Sequence, residues 1–258
     1  MMAAEGFMSK PFTFAHYERM MMTALDRGYA FGFFETRRQL LADASHGCIL
    51  RHDCDYDLVA AGALARIESA LGIRSTWFLM LHSEMYNLLS APNRDIVETI
   101  LQQGHRIALH FSPRFYGAID DTLPDRVDEE RDLVQRLFGP EITVVSFHQP
   151  TAPILDNTVK IRCCNTYDRE DMAGYHYISD SNMIWREACP TVLFRERRYT
   201  HLQLLLHPEW WTDEAQPIEQ KYETMFRHGF EQAQSVMLEN ERTYNTPRHL
   251  SLTPDPPR

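Results

Sequence analysis

Residues 48–81 read CILRHDCDYDLVAAGALARIESALGIRSTWFLML. Cys48, Ile49 and Leu50 form an apolar lead into Arg51-His52-Asp53-Cys54-Asp55. Leu58, Ala61, Leu64, Ala65, Ile67 and Leu71 then recur at helical spacing, and Gly72 supplies the stop. The run at 73–81 is continuous and rich in β-branched and aromatic residues, the mark of a strand buried on both faces. Strand, amphipathic helix and strand in that order make a βαβ unit, which predicts parallel pairing.

The alternation continues outward. Asn93 reads as the N-cap of a helix carrying Ile96, Val97, Ile100 and Leu101, closed by Gly104. A short strand is expected at 105–110. Val127, Val134 and Leu137 lie on a further helix that Gly139-Pro140 terminates, and strands follow at 142–147, near 175–179 and at 202–206. Ile218, Tyr222, Met225, Phe226, Phe230, Ala233 and Met237 describe a long final helix. The expected class is α/β with a mainly parallel sheet, either open and doubly wound or closed as a barrel. In both forms the ligand site gathers at the C-terminal strand ends. One domain is expected over 1–245. Residues 246–258 carry four prolines and read as a frayed tail or surface strap.

Of 258 residues, 26 are basic and 36 acidic, a formal net charge of −10. That balance argues against a nucleic-acid backbone as partner. No apolar run reaches the roughly 18–20 residues that span a bilayer, so no membrane role is expected. The start, MMAAEGFMSKPF, has Glu5 and no apolar core, so no signal peptide is expected. Five cysteines include the adjacent pair Cys163-Cys164 and no CxxC, which fits reduced thiols in a cytoplasmic protein.

Four apolar runs end in chemically capable residues: CILRHDCD, RIALH, ITVVSFH and LQLLLH. A parallel sheet brings these ends together, so Asp53, Asp55, His110, His148 and His207 converge. A carboxylate and two imidazoles give a divalent cation three ligands and leave positions open for water and substrate. A second carboxylate can accept the water proton, and a further His can protonate a leaving group. Asp53 and Asp55 are two apart in an extended strand and share a face, whereas His52 turns away from both. Against this stands the plainer use of such residues, since Asp55 or Asp57 can also cap the helix that starts near Leu58.

In order, the segments LRHDCDYD, LGIRSTWFLML, GHRIALHF, VSFHQP, YISDSNMIWRE and LQLLLHPEWW resemble the polysaccharide deacetylase superfamily (NodB homology, carbohydrate esterase family 4), in its intracellular branch with an HDxD first motif. The resemblance runs from about Phe12 to Trp211. It implies a distorted (β/α) barrel of about seven parallel strands, a divalent metal held by one Asp and two His, and removal of an acyl group from a sugar. Carried onto this chain, it makes Asp53 the catalytic base, Asp55 and His110 metal ligands, and His207 the general acid. Three positions depart from the family pattern, one of them His148, which stands in SFHQP where many members show an Arg-Pro motif. Cys54 separates the two Asp, so base and ligand roles can be exchanged. Position 114 is Arg where a second His is usual, and His148 is taken as the third ligand in its place.

Arg114 is then free to orient a substrate carboxylate or to steady Asp53. Asp180 and Ser181 with Trp185 read as a sugar-binding loop or, alternatively, as an Asx turn beside a buried Trp. Trp210 and Trp211 follow His207, and Trp210 walls the pocket or plugs the barrel. His82 lies past the 73–81 run, at the rim. The expected protein is a metal-dependent amidohydrolase that removes an N-acetyl or N-formyl group from an amino sugar, nucleotide-sugar or similar small polar metabolite. Zinc is the first choice of cofactor, and Fe, Mn, Co and Ni are accepted by the same ligands. Two rivals use the same residues: a non-catalytic carbohydrate-binding protein, for which Arg114 is the argument, and a two-His-one-carboxylate iron oxygenase.

Overall fold

The computed structural model describes residues 12–117, 120–156 and 158–249. Residues 1–11, which carry most of the signal-peptide reading, and the end of the tail at 250–258 lie outside the described residues. Among the described residues there are eight strands: β1 (Ala30–Gly32), β2 (Gly47–Cys54), β3 (Thr76–Leu79), β4 (Arg106–Phe111), β5 (Val144–Phe147), β6 (Cys164–Asn165), β7 (His176–Ser179) and β8 (His201–Leu206). Nine α-helices alternate with them: α1 (Phe14–Asp26), α2 (Arg37–Asp43), α3 (Val59–Ala70), α4 (Ala91–Gln102), α5 (Pro113–Tyr116), α6 (Leu123–Phe138), α7 (Ala152–Leu155), α8 (Pro190–Glu196) and α9 (Ile218–Asn240).

The strand order is β6-β5-β4-β3-β2-β8-β7, and every pairing is parallel. β1 pairs with Gly47–Ile49 and β3 with Arg51–Cys54, while β8 pairs along 47–52, so β1 and β3 share one edge of β2 in succession. The seven main strands curl into a half-barrel surrounded by helices, as the sequence predicts. Side chains reach across the open side of the sheet, from the segment just past edge strand β6 to β8 and edge strand β7. Gln203 Nε2 donates to the Thr166 carbonyl at 3.2 Å, and the Tyr167 and Tyr177 rings lie 6.4 Å apart.

Alternation along β2 divides its side chains between two environments. Ile49 points inward to a core of Phe34, Phe78, Ala108, Val144 and Met172, and Arg51 and Asp53 follow it on the same face. His52 faces the helices, fully buried. Its ring stacks on Trp77 at 3.8 Å, and Nε2 lies 2.6 Å from Glu68 Oε1. His52 is therefore turned away from the two Asp, as alternation requires.

Residues up to Ala215 form one compact unit and residues from Gln216 a second. In the second, α9 is followed by a returning segment: Tyr244 donates to Gln234 Oε1 at 3.0 Å, and Gln234 Nε2 donates to the Arg248 carbonyl at 3.0 Å. Among the described residues no helix is long and apolar enough to cross a membrane.

Candidate metal centre

Asp55 lies just past β2, where local bonds set its backbone. Tyr86 O–H donates to the Cys54 carbonyl at 2.8 Å, and Ser83 O–H donates to the Asp55 carbonyl at 3.3 Å. Leu58 is the N-cap of α3, and Asp57, not Asp55, accepts from the first helical N–H, that of Val59, at 2.9 Å, which leaves the Asp55 carboxylate free of that task. Cys54 faces away from the centre, and burial pushes its thiol well above the ordinary value.

Three ligand atoms converge here. Asp55 Oδ1 lies 2.9 Å from His110 Nε2 and 3.3 Å from His148 Nδ1, and all three fall within 4.8 Å of one another. Asp55 Oδ1 is itself buried, and the groups that face it are these two imidazole nitrogens. Burial alone would raise the Asp55 carboxyl, but His110 and His148 hold it well below the usual carboxylate range. Lone pairs from one carboxylate and two imidazoles aimed at a common point are the donor set of a divalent cation.

The surrounding shell orients these donors. His110 and Ser146 are register partners on β4 and β5, and His110 Nδ1 lies 2.5 Å from Ser146 Oγ. Ser146 Oγ in turn donates to Asp53 Oδ1 at 3.4 Å. A proton on His110 Nδ1 leaves the Nε2 lone pair facing Asp55. The His148 N–H donates to the Phe111 carbonyl at 2.8 Å, fixing that residue beside β4.

Asp53 sits beneath the three donors and is taken by Arg51. The guanidinium, fully buried, donates to Asp53 Oδ2 at 3.1 Å and to Tyr167 Oη at 3.0 Å, and lies 5.0 Å from the Tyr167 ring centroid. Arg51, and not Arg114 as the sequence suggested, is the cation that steadies Asp53. Arg51 is two residues before Asp53, so strand alternation was the signal that could have found it.

His207, past β8, presents Nε2 at 3.9 Å from Asp55 Oδ2. Its Nδ1 lies 2.6 Å from Asp180 Oδ1. Asp180 is fully buried and also accepts from the His207 N–H and Trp211 Nε1. Its acceptors are spent inside the protein, so Asp180 orients His207 and is not the substrate contact that the sequence suggested. Burial works against a charge on His207, but the Asp180 hydrogen bond and carboxylate outweigh it and push the imidazole up to about 10.

A cavity of about 330 Å³ joins Asp53, Asp55, His110, His148 and His207, with Ser181 and Trp210 in its wall. Trp185 is not in that wall. The left-handed turn at Asn182 and Met183 carries it away to stack on Phe12 at 5.6 Å, and Arg186 faces the cavity instead. A second cavity of about 710 Å³ opens from Asp55, Tyr56 and His148 towards Arg114, Phe115 and His82. The His82 ring lies flat on Phe115 at 3.6 Å, with Nε2 3.3 Å from Glu130 Oε1.

Burial pushes the Glu130 carboxyl up to about 7, against the hydrogen bond from Tyr116. Between the ordinary 4.5 and about 7 the folded state holds a proton that the unfolded state has lost, so this linkage weakens folding as pH rises through that window. Glu130→Gln removes the effect. Denaturant titrations at pH 5 and pH 8 are expected to show the variant gaining about 1–3 kcal/mol over wild type at the higher pH relative to the lower. Identical pH dependence in the two proteins would contradict the assignment.

No protein-family model and no curated protein matches the sequence. Solved structures do. The chain is similar to a family 4 carbohydrate esterase from Bacillus anthracis, at 13% identity over 88% of this chain and 93% of that one, with a TM-score of 0.42. It is similar to the chitin deacetylase of Colletotrichum lindemuthianum at 17% identity, over 70% and 81% of the two chains, with a TM-score of 0.40. It is also similar to the Streptococcus pyogenes deacetylase PplD at 13% identity, over 72% and 85%, with a TM-score of 0.46.

Proposed function

We propose that this protein is a divalent-metal hydrolase that removes an acyl group from an amino sugar or a related small polar metabolite. The observation that carries the reading is the convergence of the buried Asp55 Oδ1 with two imidazole nitrogens, all within 4.8 Å of one another. Asp55, His110 and His148 would hold the ion, with zinc the first choice for an N,N,O set. Such an ion polarises an acyl oxygen and lowers the pKa of water.

The chain's own groups supply the proton transfers. Asp53, oriented by Arg51 and Ser146, accepts the proton of the attacking water. His207, with Asp180 behind Nδ1, gives a proton from Nε2 to the departing nitrogen, so the C–N bond breaks to a neutral amine and a carboxylic acid. This division assigns Asp55 to the metal and Asp53 to the base. Arg114, Ser181, Trp210 and His82 border the two cavities and are the proposed substrate contacts. The free cysteines agree with a reducing compartment, and we place the protein in the cytoplasm.

The test is release of acid from N-acetyl and N-formyl amino sugars by zinc-loaded and chelator-stripped protein. Turnover only in the loaded form is expected. In the loaded form, His207→Ala is expected to retain the metal and lose about 10²–10⁴-fold in kcat. Full activity in that variant, or equal activity without metal, would overturn the mechanism.

A further inference from the structure

Three exposed polar side chains at the rim of the 330 Å³ cavity have no hydrogen-bonding or charged protein partner among the described residues: Gln149, Asn182 and Arg186. Two of them hold left-handed backbone, with φ of 50° at Gln149 and 57° at Asn182. Residues with a Cβ rarely adopt that region, and it recurs where a fold holds side chains for function. Among the described residues only Met183 and Arg197 share this feature outside glycine, and Met183 belongs to the same turn as Asn182.

The charges around the cavity are unequal. Its two carboxylates are engaged, Asp53 by Arg51 and Asp55 by the imidazoles that face it. Arg186 also lines an adjoining cavity of about 520 Å³ with Tyr167, Tyr177 and Ser179. The carboxylate in that wall, Glu187, is occupied by His176 at 2.7 Å and Tyr199 at 2.8 Å. In a chain of net charge −10, an exposed guanidinium with no protein partner among the described residues stands at the junction of two cavities, its donors open to a ligand from solvent. A guanidinium fork is shaped for a carboxylate or phosphate.

We propose that the substrate of this centre is an anion, an acylated sugar bearing a phosphate or a carboxylate. Arg186 reads that group, and the amides of Gln149 and Asn182 bind neighbouring hydroxyls. The acylated sugar rests on the hydrolase reading above; the anionic group rests on Arg186 and its surroundings.

The experiment uses metal-loaded wild type and Arg186→Gln with N-acetylglucosamine, its 6-phosphate, and N-acetylmuramic acid as the carboxylate probe. Calorimetry gives Kd and acetate release gives kcat/KM. In wild type at least one anionic sugar is expected to bind roughly ten- to a hundredfold more tightly than the neutral one, as charge-assisted hydrogen bonds allow. The advantage shrinks with added salt and disappears in Arg186→Gln. The better of the two anions tells phosphate from carboxylate. Equal binding of neutral and anionic sugars, or a preference that survives Arg186→Gln, overturns the proposal. An Arg186-dependent preference without acetate release would support the anion site and overturn the hydrolase reading. Acetate release with no preference would do the reverse, and no binding of any sugar would overturn both.

Discussion

His148→Ala is expected to purify with only a small fraction of the metal that wild type carries, near one ion per chain in the intact protein. His148 contributes one of three protein donors, and the other two, Asp55 Oδ1 and His110 Nε2, lie 2.9 Å apart. Two donors leave a cation held mainly by water. The nearest graded comparison is Ser146→Ala, which keeps all three donors but removes the partner of His110 Nδ1 at 2.5 Å. Loss of such an outer partner costs about 10–100-fold in affinity, and loss of His148 itself is expected to cost more. Elemental analysis of wild type and the two variants, dialysed side by side, gives the order wild type, Ser146→Ala, His148→Ala. Full occupancy in His148→Ala would show that this imidazole is not a ligand.

The strand ends were legible because the physics that marks them is local. Apolar runs followed at once by His or Asp occur at 52–55, 110, 148 and 207, and parallel pairing leaves them no other end at which to meet. Element limits were less legible. The run at 73–81 holds no glycine or proline to mark a strand end, but only Thr76–Leu79 pairs as β3, since a strand buried on both faces shows no change of pattern where pairing stops. Asn93 was read as a cap, whereas Ser90 holds that position and Asn93 is buried one turn later, its Nδ2 donating to the Asn87 carbonyl at 2.9 Å. β1 and β6, three and two residues long, are too short to carry a period. The pairings that define the acid and the base were the hardest part. Arg51 lies two positions from Asp53 and was within reach of strand alternation, but Asp180 reaches His207 across 27 positions, and Tyr167, which holds Arg51, lies 116 away. Contacts of that range arise from the curl of the sheet and leave no spacing to read.

Arg51 offers a second large effect. Its guanidinium and the Asp53 carboxylate are an ion pair with 0% and 2% side-chain exposure. Arg51→Met leaves a buried carboxylate without its cation, and breaking such a pair costs about 3–5 kcal/mol. For a chain of this size that is a fall of roughly 6–20 °C in Tm. The double variant Arg51→Met/Asp53→Leu removes both charges and is expected to recover most of the loss, because an apolar pair of similar volume replaces a buried ion pair at little cost. Asp53 is outside the set of three converging donors, so the double variant should still load metal while losing turnover. Loaded, stable and inactive is the combination expected of a missing base. If instead the double variant lost its metal along with its activity, the roles of Asp53 and Asp55 would have to be exchanged, and Arg51 would be holding a ligand rather than a base.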